Sequence, residues 1–239
     1  MINLDPISGL GDRELVNYLQ SFVTPERYKR FLDVLKSRTR FLTIVLEDIY
    51  QPHNASAALR SCDCFGIQDV HIIENRNKYE VNPDVALGSS KWLNLIHYTA
   101  PGDKTVICLN HLKQQGYRLV ATSPHRNDFT PESLPLDEKT ALLFGTELSG
   151  LTPIALEMAD DFIRIPMVGF TESLNISVSV AILLQNLTQR LWKSPASWRL
   201  QEEERNEILL QWLRQSINGS EQIIQDLRKK ETGNKNPGR

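Results

Sequence analysis

The sequence predicts an α/β fold built on a parallel β-sheet. An apolar, partly β-branched run at residues 41–46 precedes a helical segment at 54–65 and a second apolar run at 69–73. This order is typical of a βαβ unit, in which a right-handed crossover joins parallel strands. A hydrophobic content of 41% in a chain of 239 residues also supplies a buried core, which excludes an intrinsically disordered protein.

The residues before the first strand are predicted to be helical. Leu15 and Leu19 recur at helical spacing. Thr24 and Pro25 then form a helix-start signal, because Thr caps the first turn and Pro fits the first helical position. We therefore expect a helical extension over residues 1–40, and no signal peptide, because its start has neither a basic region nor an apolar run.

Strands and helices continue to alternate after the first βαβ unit. Further strands are predicted at residues 93–99, 118–122, 140–144 and 162–167, with helices at 103–115 and 152–159. A last helix, from Ile176 to about Trp192, is apolar over most of its surface. Such a helix is typical of a domain centre or a subunit interface, so we place a central α/β domain at residues 41–192.

Residues 193–239 are predicted to form a C-terminal helical extension. A polar amphipathic helix is expected from Glu202 to about Lys230, with a break near Gly219. The basic tail from Thr232 onward is expected to be disordered. The α/β domain therefore has helical extensions on both sides.

The charge distribution separates the α/β segment from its flanks. The net formal charge of −2 combines −7 over residues 41–189 with +2 over residues 1–40 and +3 over residues 190–239. Basic flanks favour contact with a nucleic acid, whereas the acidic middle argues against broad binding there. Ordinary solvated faces would give the same pattern, so both interpretations stay open.

Neither a membrane segment nor a metal site is expected. No apolar run reaches the roughly 18 residues that span a bilayer. The chain has three cysteines, Cys62, Cys64 and Cys108. Their number is odd, and their spacing is not that of a metal site. This pattern favours reduced thiols in a reducing compartment, and we expect a cytoplasmic protein.

Three polar loops follow predicted strands and lead into helices. The first leads to Asn54, with Arg60 six residues later; the second is residues 145–150, GTELSG. The third carries Ser173 and Asn175 directly before the apolar helix. Because the carboxyl ends of parallel strands meet at one edge of a sheet, where open α/β folds bind ligands, the loops are expected to converge there.

Each loop taken singly is also typical of a plain structural feature. Asn54 and Asn175 would serve as N-caps, and Arg60 as a surface arginine. The two glycines of residues 145–150 would serve a tight turn.

In this order and spacing, the loops resemble the three motifs of the SPOUT superfamily of RNA 2′-O-ribose methyltransferases. The similarity is greatest to the TrmH group, the tRNA guanosine 2′-O-methyltransferases. The matching residues are Asn54 and Arg60, the Gly145-x-Glu147-x-x-Gly150 pattern, and residues 165–177, IPMVGFTESLNIS. Residues 88–92, GSSKW, add a match outside the motifs, and the resemblance covers roughly residues 20–192.

The resemblance implies a fold that composition could not show. In this superfamily the C-terminal part of the catalytic domain passes through a loop and forms a deep trefoil knot, an exception to the unknotted topology of most proteins. Residues 41–192 would thus form a knotted catalytic domain, with the helical extensions outside it. The resemblance also implies a homodimer whose two sites combine residues from both chains, which suits the apolar helix from Ile176.

The resemblance further implies S-adenosylmethionine as the methyl donor, bound by loops of the knot. Carried over by position, its pocket comprises Thr122, Gly145, Glu147, Ile165, Met167, Leu174 and Asn175. Catalytic roles fall on Arg60, Asn54, Ser173 and Asn175. The positions that would contact tRNA are His53, Lys91 and Arg190, and residues 1–40 are expected to contact the RNA as well.

Arg60 holds the central catalytic position of the family, sometimes interpreted as a general base. Methyl transfer to a ribose 2′-OH requires the hydroxyl proton to leave. A guanidinium group, however, has a pKa above about 12, and a bound phosphate favours its charged form further. We therefore expect Arg60 to hold the phosphate beside the target ribose and to stabilise the developing alkoxide, with Asn54 positioning Arg60 or the substrate.

The helical extensions favour guanosine 18 of the tRNA D-loop as the target. Related rRNA enzymes usually carry a separate N-terminal RNA-binding domain, for which the residues before the first strand leave no room. The smallest relatives, which act on the tRNA anticodon loop, largely lack such extensions. Two alternatives stay open: 2′-O-methylation of another RNA (rRNA or another tRNA site), and a non-catalytic RNA-binding protein.

Overall fold

Parallel strands form one six-stranded sheet in the computed structural model, which describes residues 11–77, 79–80, 86, 88–126, 128–146 and 149–234. The strands are β1 (Leu42–Glu47), β2 (Asp69–Ile73), β3 (Asn94–Tyr98), β4 (Arg118–Thr122), β5 (Thr140–Phe144) and β6 (Asp161–Ile163). They lie in the order β3-β2-β1-β5-β4-β6, and every adjacent pair is parallel. The predicted α/β class with a parallel sheet is confirmed.

Helices precede, connect and follow the strands. Those of the described residues are α1 (Asp12–Leu19), α2 (Pro25–Leu35), α3 (Pro52–Cys64), α4 (Lys104–Gln114), α5 (Pro153–Met158), α6 (Ile176–Lys193), α7 (Glu202–Ser216) and α8 (Ser220–Asn234). Short 3₁₀ helices lie at Gln20–Phe22 and Ser89–Trp92. The start of α2 follows its sequence signal: Thr24 Oγ1 accepts a hydrogen bond from the N–H of Arg27 (3.2 Å), and Pro25 opens the helix.

β1 lies in the interior of the sheet and is buried along its whole length. Ile44 and Leu46 join one apolar cluster and Val45 joins the other, because successive side chains of a strand point to opposite faces. Helices α3 and α6 cover the first face and pack against each other, whereas α4 and α5 cover the second. Burial on both faces explains why the strands are nearly continuous apolar runs.

The chain divides into two compact units. Residues 38–199 contain the whole sheet, and the described residues before and after them form a helical unit of α1, α2, α7 and α8. Within the helical unit, α7 packs on α1 and α2, and the buried Trp212 meets Phe31 edge to face. The two terminal extensions of the sequence thus belong to one unit.

The basic character of the flanks disappears when charges are counted by structural unit. Residues 1–37 contain five basic and five acidic residues, and residues 200–239 contain seven of each. The surplus lies in five residues of the sheet-containing unit: Arg38, Arg40, Arg190, Lys193 and Arg199. Arg38, for example, is buried and pairs with Asp63. Counted in this way, charge alone no longer favours RNA contact by the flanks, and RNA contact by residues 1–40 stays a prediction.

Two element boundaries differ from the sequence prediction. β6 ends at Ile163, four residues before the predicted end, because its partner β4 ends at the paired residue Thr122. α3 begins at Pro52, two residues before Asn54, because proline favours the first helical position. Asn54 therefore lies inside the helix and is not its N-cap.

The C-terminal helix breaks where the sequence predicted. α7 ends at Ser216, and Gly219 adopts a left-handed φ of 72° before α8 begins. α8 reaches Asn234, residues 235–239 lie outside the described residues, and the disorder expected from Thr232 stays a prediction. No helix in the described part of the chain is long and apolar enough to cross a bilayer.

Candidate functional site

A cavity of about 420 Å³ lies where the chain leaves β4, β5 and β6. It is bounded by the loops after these strands and by the first turns of α6. The predicted site residues among its lining are Thr122, Gly145, Ile165, Met167, Ser173 and Leu174. The structure therefore brings the second and third polar loops together at the carboxyl edge of the sheet, whereas Glu147 falls outside the described residues.

The walls of this cavity combine apolar side chains with a few polar groups. Its apolar part is contributed by strand ends, a loop and helices, including Phe144, Leu151, Ile163 and Leu183. Among the polar groups are His125 and Glu172, which the sequence analysis had not singled out. Thr122, at the end of β4, donates its hydroxyl to the carbonyl oxygen of Leu143 (2.8 Å) and so holds two strand ends together.

Gly145 is required by a close approach of the backbone to itself. A Cβ atom at this position would lie 2.1 Å from the carbonyl carbon of Gly150. Thr146 and Gly150 exchange two backbone hydrogen bonds of 3.0 Å, and Gly150 has a left-handed φ of 68°. The two glycines therefore close a small ring of backbone at the cavity wall, which is the tight turn that their spacing predicted.

A chain of side-chain hydrogen bonds joins the first polar loop to the third. Asn54 is only 3% exposed, and its Oδ1 accepts a hydrogen bond from Asn175 Nδ2 (3.1 Å). Asn54 Nδ2 donates in turn to Gln51 Oε1 (3.1 Å). Asn175 caps α6, because its Oδ1 accepts from the N–H of Ser177 (2.8 Å) and from the Ser177 hydroxyl (2.6 Å).

The orientation of the two asparagine side-chain amides follows from one backbone donor, the N–H of Ser177. The Ser177 N–H can only donate, so Asn175 presents Oδ1 to it and turns Nδ2 toward Asn54. Asn54 must then offer Oδ1 to Asn175 and Nδ2 to Gln51. The start of α3 is thereby joined in a fixed orientation to the start of α6, 121 residues away in sequence.

Arg60 lies outside the cavity, on the exposed face of α3. Together with His53 it lines a shallow depression whose remaining members are Ala57, Ser61, Cys64 and Phe65. This face differs from that of Asn54 because six residues correspond to about 600° of helical rotation. The chain therefore supplies the cavity and the arginine at two separate places.

The two other residues predicted to contact RNA have different surroundings. Lys91 is exposed in the 3₁₀ helix at Ser89–Trp92. Arg190 is partly buried, and its guanidinium donates to the carbonyl oxygens of Pro131 and Leu134 (2.7 Å for the latter). These bonds hold residues 131–134 against α6. RNA contact by Arg190 stays a prediction.

Glu47 is a buried polar residue that the sequence analysis missed. It ends β1 with 1% exposure, and its carboxylate accepts hydrogen bonds from the Thr105 hydroxyl (2.6 Å) and from the N–H and hydroxyl of Thr152 (both 2.8 Å). These bonds tie the start of α5 to the central strand. An acidic residue that ends an otherwise apolar strand was the available signal, since a buried carboxylate requires partners.

Comparisons with known proteins agree with this geometry. The family model of the SpoU rRNA Methylase family matches residues 41–185. A curated relative from Borreliella burgdorferi, named tRNA (guanosine(18)-2′-O)-methyltransferase, is 43% identical over 212 residues, covering 89% of this chain and 95% of the relative.

Solved structures show the same fold. The crystal structure of the A. aeolicus TrmH/SpoU tRNA modifying enzyme matches with a TM-score of 0.71 and 31% identity over 84% of this chain and 98% of that one. The SpoU methyltransferase AviRb from Streptomyces viridochromogenes, in complex with the cofactor AdoMet, matches at 23% identity with a TM-score of 0.57, covering 68% of this chain and 65% of that one. The family model and the close relative together show that this chain belongs to the SpoU methylase family, as a member of its TrmH group.

Proposed function

We propose that this protein transfers a methyl group from S-adenosylmethionine to the ribose 2′-OH of guanosine 18 in the tRNA D-loop. The name of the Borreliella burgdorferi relative supports this substrate, because the two chains align over nearly their whole lengths. The observation that carries the proposal is the Asn54–Asn175 hydrogen bond of 3.1 Å. It joins the helix that bears Arg60 to the loop that closes the cavity.

The cavity fits S-adenosylmethionine in size and chemistry. Its volume of about 420 Å³ lies in the range of small-molecule sites, which combine apolar walls with a few polar groups. The carboxylate of Glu172 suits a cofactor that carries positive charge, and the closed turn at Gly145 and Gly150 forms part of the cavity wall. When bound, the cofactor supplies an electrophilic methyl group; Glu147 is proposed to contribute to its binding.

The residues of this chain would then orient the acceptor ribose and manage its charge. Arg60 holds the phosphate beside that ribose and stabilises the oxygen as its proton leaves. Asn54 and Asn175 fix the two loops relative to each other through their mutual hydrogen bond. Ser173 shapes the loop at the methyl group, while His53 and Lys91, both exposed, contact the RNA.

The separation of Arg60 from the cavity supports a homodimer in which a second copy completes the site. Helix α6 offers the surface: Leu183, Leu184 and Leu187 are buried in the core, but Val178 and Ile182 are 44% and 37% exposed. A dimer mass in light scattering, reduced to the monomer mass by Ile182→Asp, is the expected result. A monomeric wild type with full activity would contradict the dimer.

Two further parts of the proposal rest on the family. The deep trefoil knot is expected in the segment that runs from β5 through β6 to α6, whose loops line the cavity. An experimental electron-density trace of this segment tests the knot. Cytoplasmic localisation is also proposed, because tRNA is processed there, and cell fractionation tests it.

The test of the activity uses an unmodified tRNA transcript and labelled S-adenosylmethionine. A 2′-O-methyl group protects the phosphodiester bond on its 3′ side from alkaline hydrolysis, so one protected position, after guanosine 18, is expected. A matched transcript with 2′-deoxyguanosine at this position should take up no label. Protection elsewhere, or in an rRNA fragment alone, would favour another RNA target, and binding without methylation would favour a non-catalytic protein.

A further inference from the structure

Tyr50 is an exposed aromatic residue in an otherwise anchored loop. It lies in the four-residue connection between β1 and α3, and it is 71% exposed. A single exposed apolar side chain is common and has no meaning by itself. The neighbours of Tyr50 make this case different, because each of them is held in place.

On one side of Tyr50, the chain is held by Asp48 and Ile49. The Asp48 carboxylate accepts hydrogen bonds from the backbone N–H groups of Asn75 (2.7 Å), Arg76 (2.8 Å) and Asn77 (3.3 Å). Asp48 also adopts a left-handed φ of 54°, which is unfavourable for a residue with a side chain. Ile49 is buried in the core.

On the other side, Gln51 and Pro52 fix the entry into α3. The Gln51 side chain accepts the hydrogen bond of Asn54 (3.1 Å), and Pro52 occupies the first helical position with its restricted φ. The backbone of Tyr50 is therefore ordered before any ligand arrives. An aromatic ring on such a loop offers contact area at a low cost in conformational entropy.

The position of Tyr50 places it beside the proposed RNA site. Tyr50 lies two residues before the start of α3, and His53 and Arg60 on that helix line the exposed depression. Methylation of a ribose in a folded RNA requires the nucleotide to leave its stack, and proteins receive unstacked bases on aromatic side chains. Basic and aromatic groups suited to hold a splayed nucleotide therefore lie on the exposed face of α3 and on the loop that leads into it.

We propose that the ring of Tyr50 is a stacking surface for an unpaired nucleobase of the RNA substrate. This inference rests on the proposed function, since it assigns a binding residue for the same substrate. Stacking requires a flat π face but no hydroxyl and no charge. Tyr50 would thus hold the base in place while Arg60 holds the adjacent phosphate.

Substitutions at Tyr50 test the proposal through tRNA binding, measured without the methyl donor. Tyr50→Ala should raise the Kd for tRNA by about tenfold, within the range known for aromatic stacking residues. Tyr50→Phe should bind like the wild type, whereas Tyr50→Leu should resemble Tyr50→Ala. The salt dependence of binding should keep its slope in all three variants, because no phosphate contact is removed. The Kd for S-adenosylmethionine and the thermal midpoint should not change.

Several outcomes would overturn the inference. They are wild-type tRNA binding by Tyr50→Ala, equal tRNA binding by Tyr50→Leu and Tyr50→Phe, or a lowered thermal midpoint that shows a structural role. Wild-type binding without methylation would overturn the proposed activity alone, and the variants would still decide the role of Tyr50. A wild type that binds no tRNA would overturn both.

Discussion

The two faces of the sheet are equally well buried but differ in what their helices carry. On one face, α3 and α6 begin at polar loops, and Asn54 and Asn175 join the two helix starts. On the other face, α4 and α5 are capped by Asp103 and Thr152 and bury a continuous apolar cluster. The difference is that the helix starts of the first face are joined by side-chain hydrogen bonds to each other, whereas Asp103 and Thr152 each cap their own helix.

The second face does contain polar groups, but they are enclosed. His71 Nδ1 and the Tyr98 hydroxyl lie 2.9 Å apart, and His71 is only 1% exposed. Burial, with a smaller contribution from His111, lowers the pKa of His71 to about 3. Burial also raises the pKa of Tyr98, followed by the influence of Cys108. Both groups are therefore neutral at physiological pH and serve the scaffold.

A core truncation on the second face should have the largest effect on stability and none on chemistry. Leu112 of α4 is fully buried in the second cluster. Leu112→Ala should lower the free energy of unfolding by about 2–5 kcal/mol, because it removes apolar contacts and leaves a cavity. Urea unfolding measures the loss. The kcat of the folded fraction should stay at the wild-type value, and a large fall in kcat would break the comparison.

Removal of Arg60 on the first face should lower activity and leave stability unchanged. Arg60→Ala should lower kcat by about 10²-fold or more, which corresponds to about 3 kcal/mol of transition-state stabilisation. Stability and the Kd for S-adenosylmethionine should not move, because Arg60 is exposed and lies outside the cavity. Steady-state kinetics with tRNA provides the measurement.

Arg60→Lys separates the two roles considered for this residue. Lysine keeps the charge but loses the bidentate fork, so it should recover little activity if phosphate geometry matters. A general-base role would instead give increasing recovery as pH rises, because lysine has the lower pKa. Wild-type rates in Arg60→Ala would refute either role.

Loss of the hydrogen bond between the two helix starts should have an intermediate effect. Asn54→Ala should lower kcat by about tenfold, since a single buried hydrogen bond contributes about 1 kcal/mol and its unpaired partner adds a cost. Asn175→Ala should act similarly, and the double variant should lower kcat by less than the product of the two single fold changes. Gln51→Glu serves as the control because it keeps an acceptor for Asn54. Fully additive effects would show that the two amides act independently.

A further expected effect is a pH dependence of stability that originates from His71 on the second face. In the unfolded chain His71 binds a proton near pH 6.5, whereas in the folded chain its pKa is lowered to about 3. Stability should therefore fall as pH drops from 6.5 toward 3, by at most about 1.4 kcal/mol per pH unit from this group. Urea midpoints between pH 7.5 and 4.5 should show a shallower slope in His71→Gln, with His53→Gln at an exposed histidine as control. An unchanged slope in His71→Gln would contradict the assignment.

Sequence patterns located the strands well where apolar runs had clear limits. The predicted strands at residues 118–122 and 140–144 match β4 and β5 residue for residue. Prediction was weaker at the end of β6 and at the start of α3. The end of β4, the partner of β6, set the first limit, and the conformational preference of Pro52 set the second, so the hydrophobic pattern decided neither.

The apolar helix α6 shows a second limit of pattern analysis. Its sequence alone could not distinguish a helix at a domain centre from one at an interface. The structure shows that Leu183, Leu184 and Leu187 are in the core, whereas Val178 and Ile182 are exposed. The same residue types thus divide between two environments, which depends on where neighbouring elements lie.

Local sequence patterns predicted the parallel α/β class and most element limits, because periodicity and turn chemistry are local properties. Only the tertiary structure placed Asn54 against Asn175, separated Arg60 from the cavity and exposed Tyr50 on an anchored loop. It also showed that Arg38 is a buried structural cation and not part of an RNA-binding flank. These outcomes depend on contacts between residues distant in sequence, and such contacts arise only when the chain has folded.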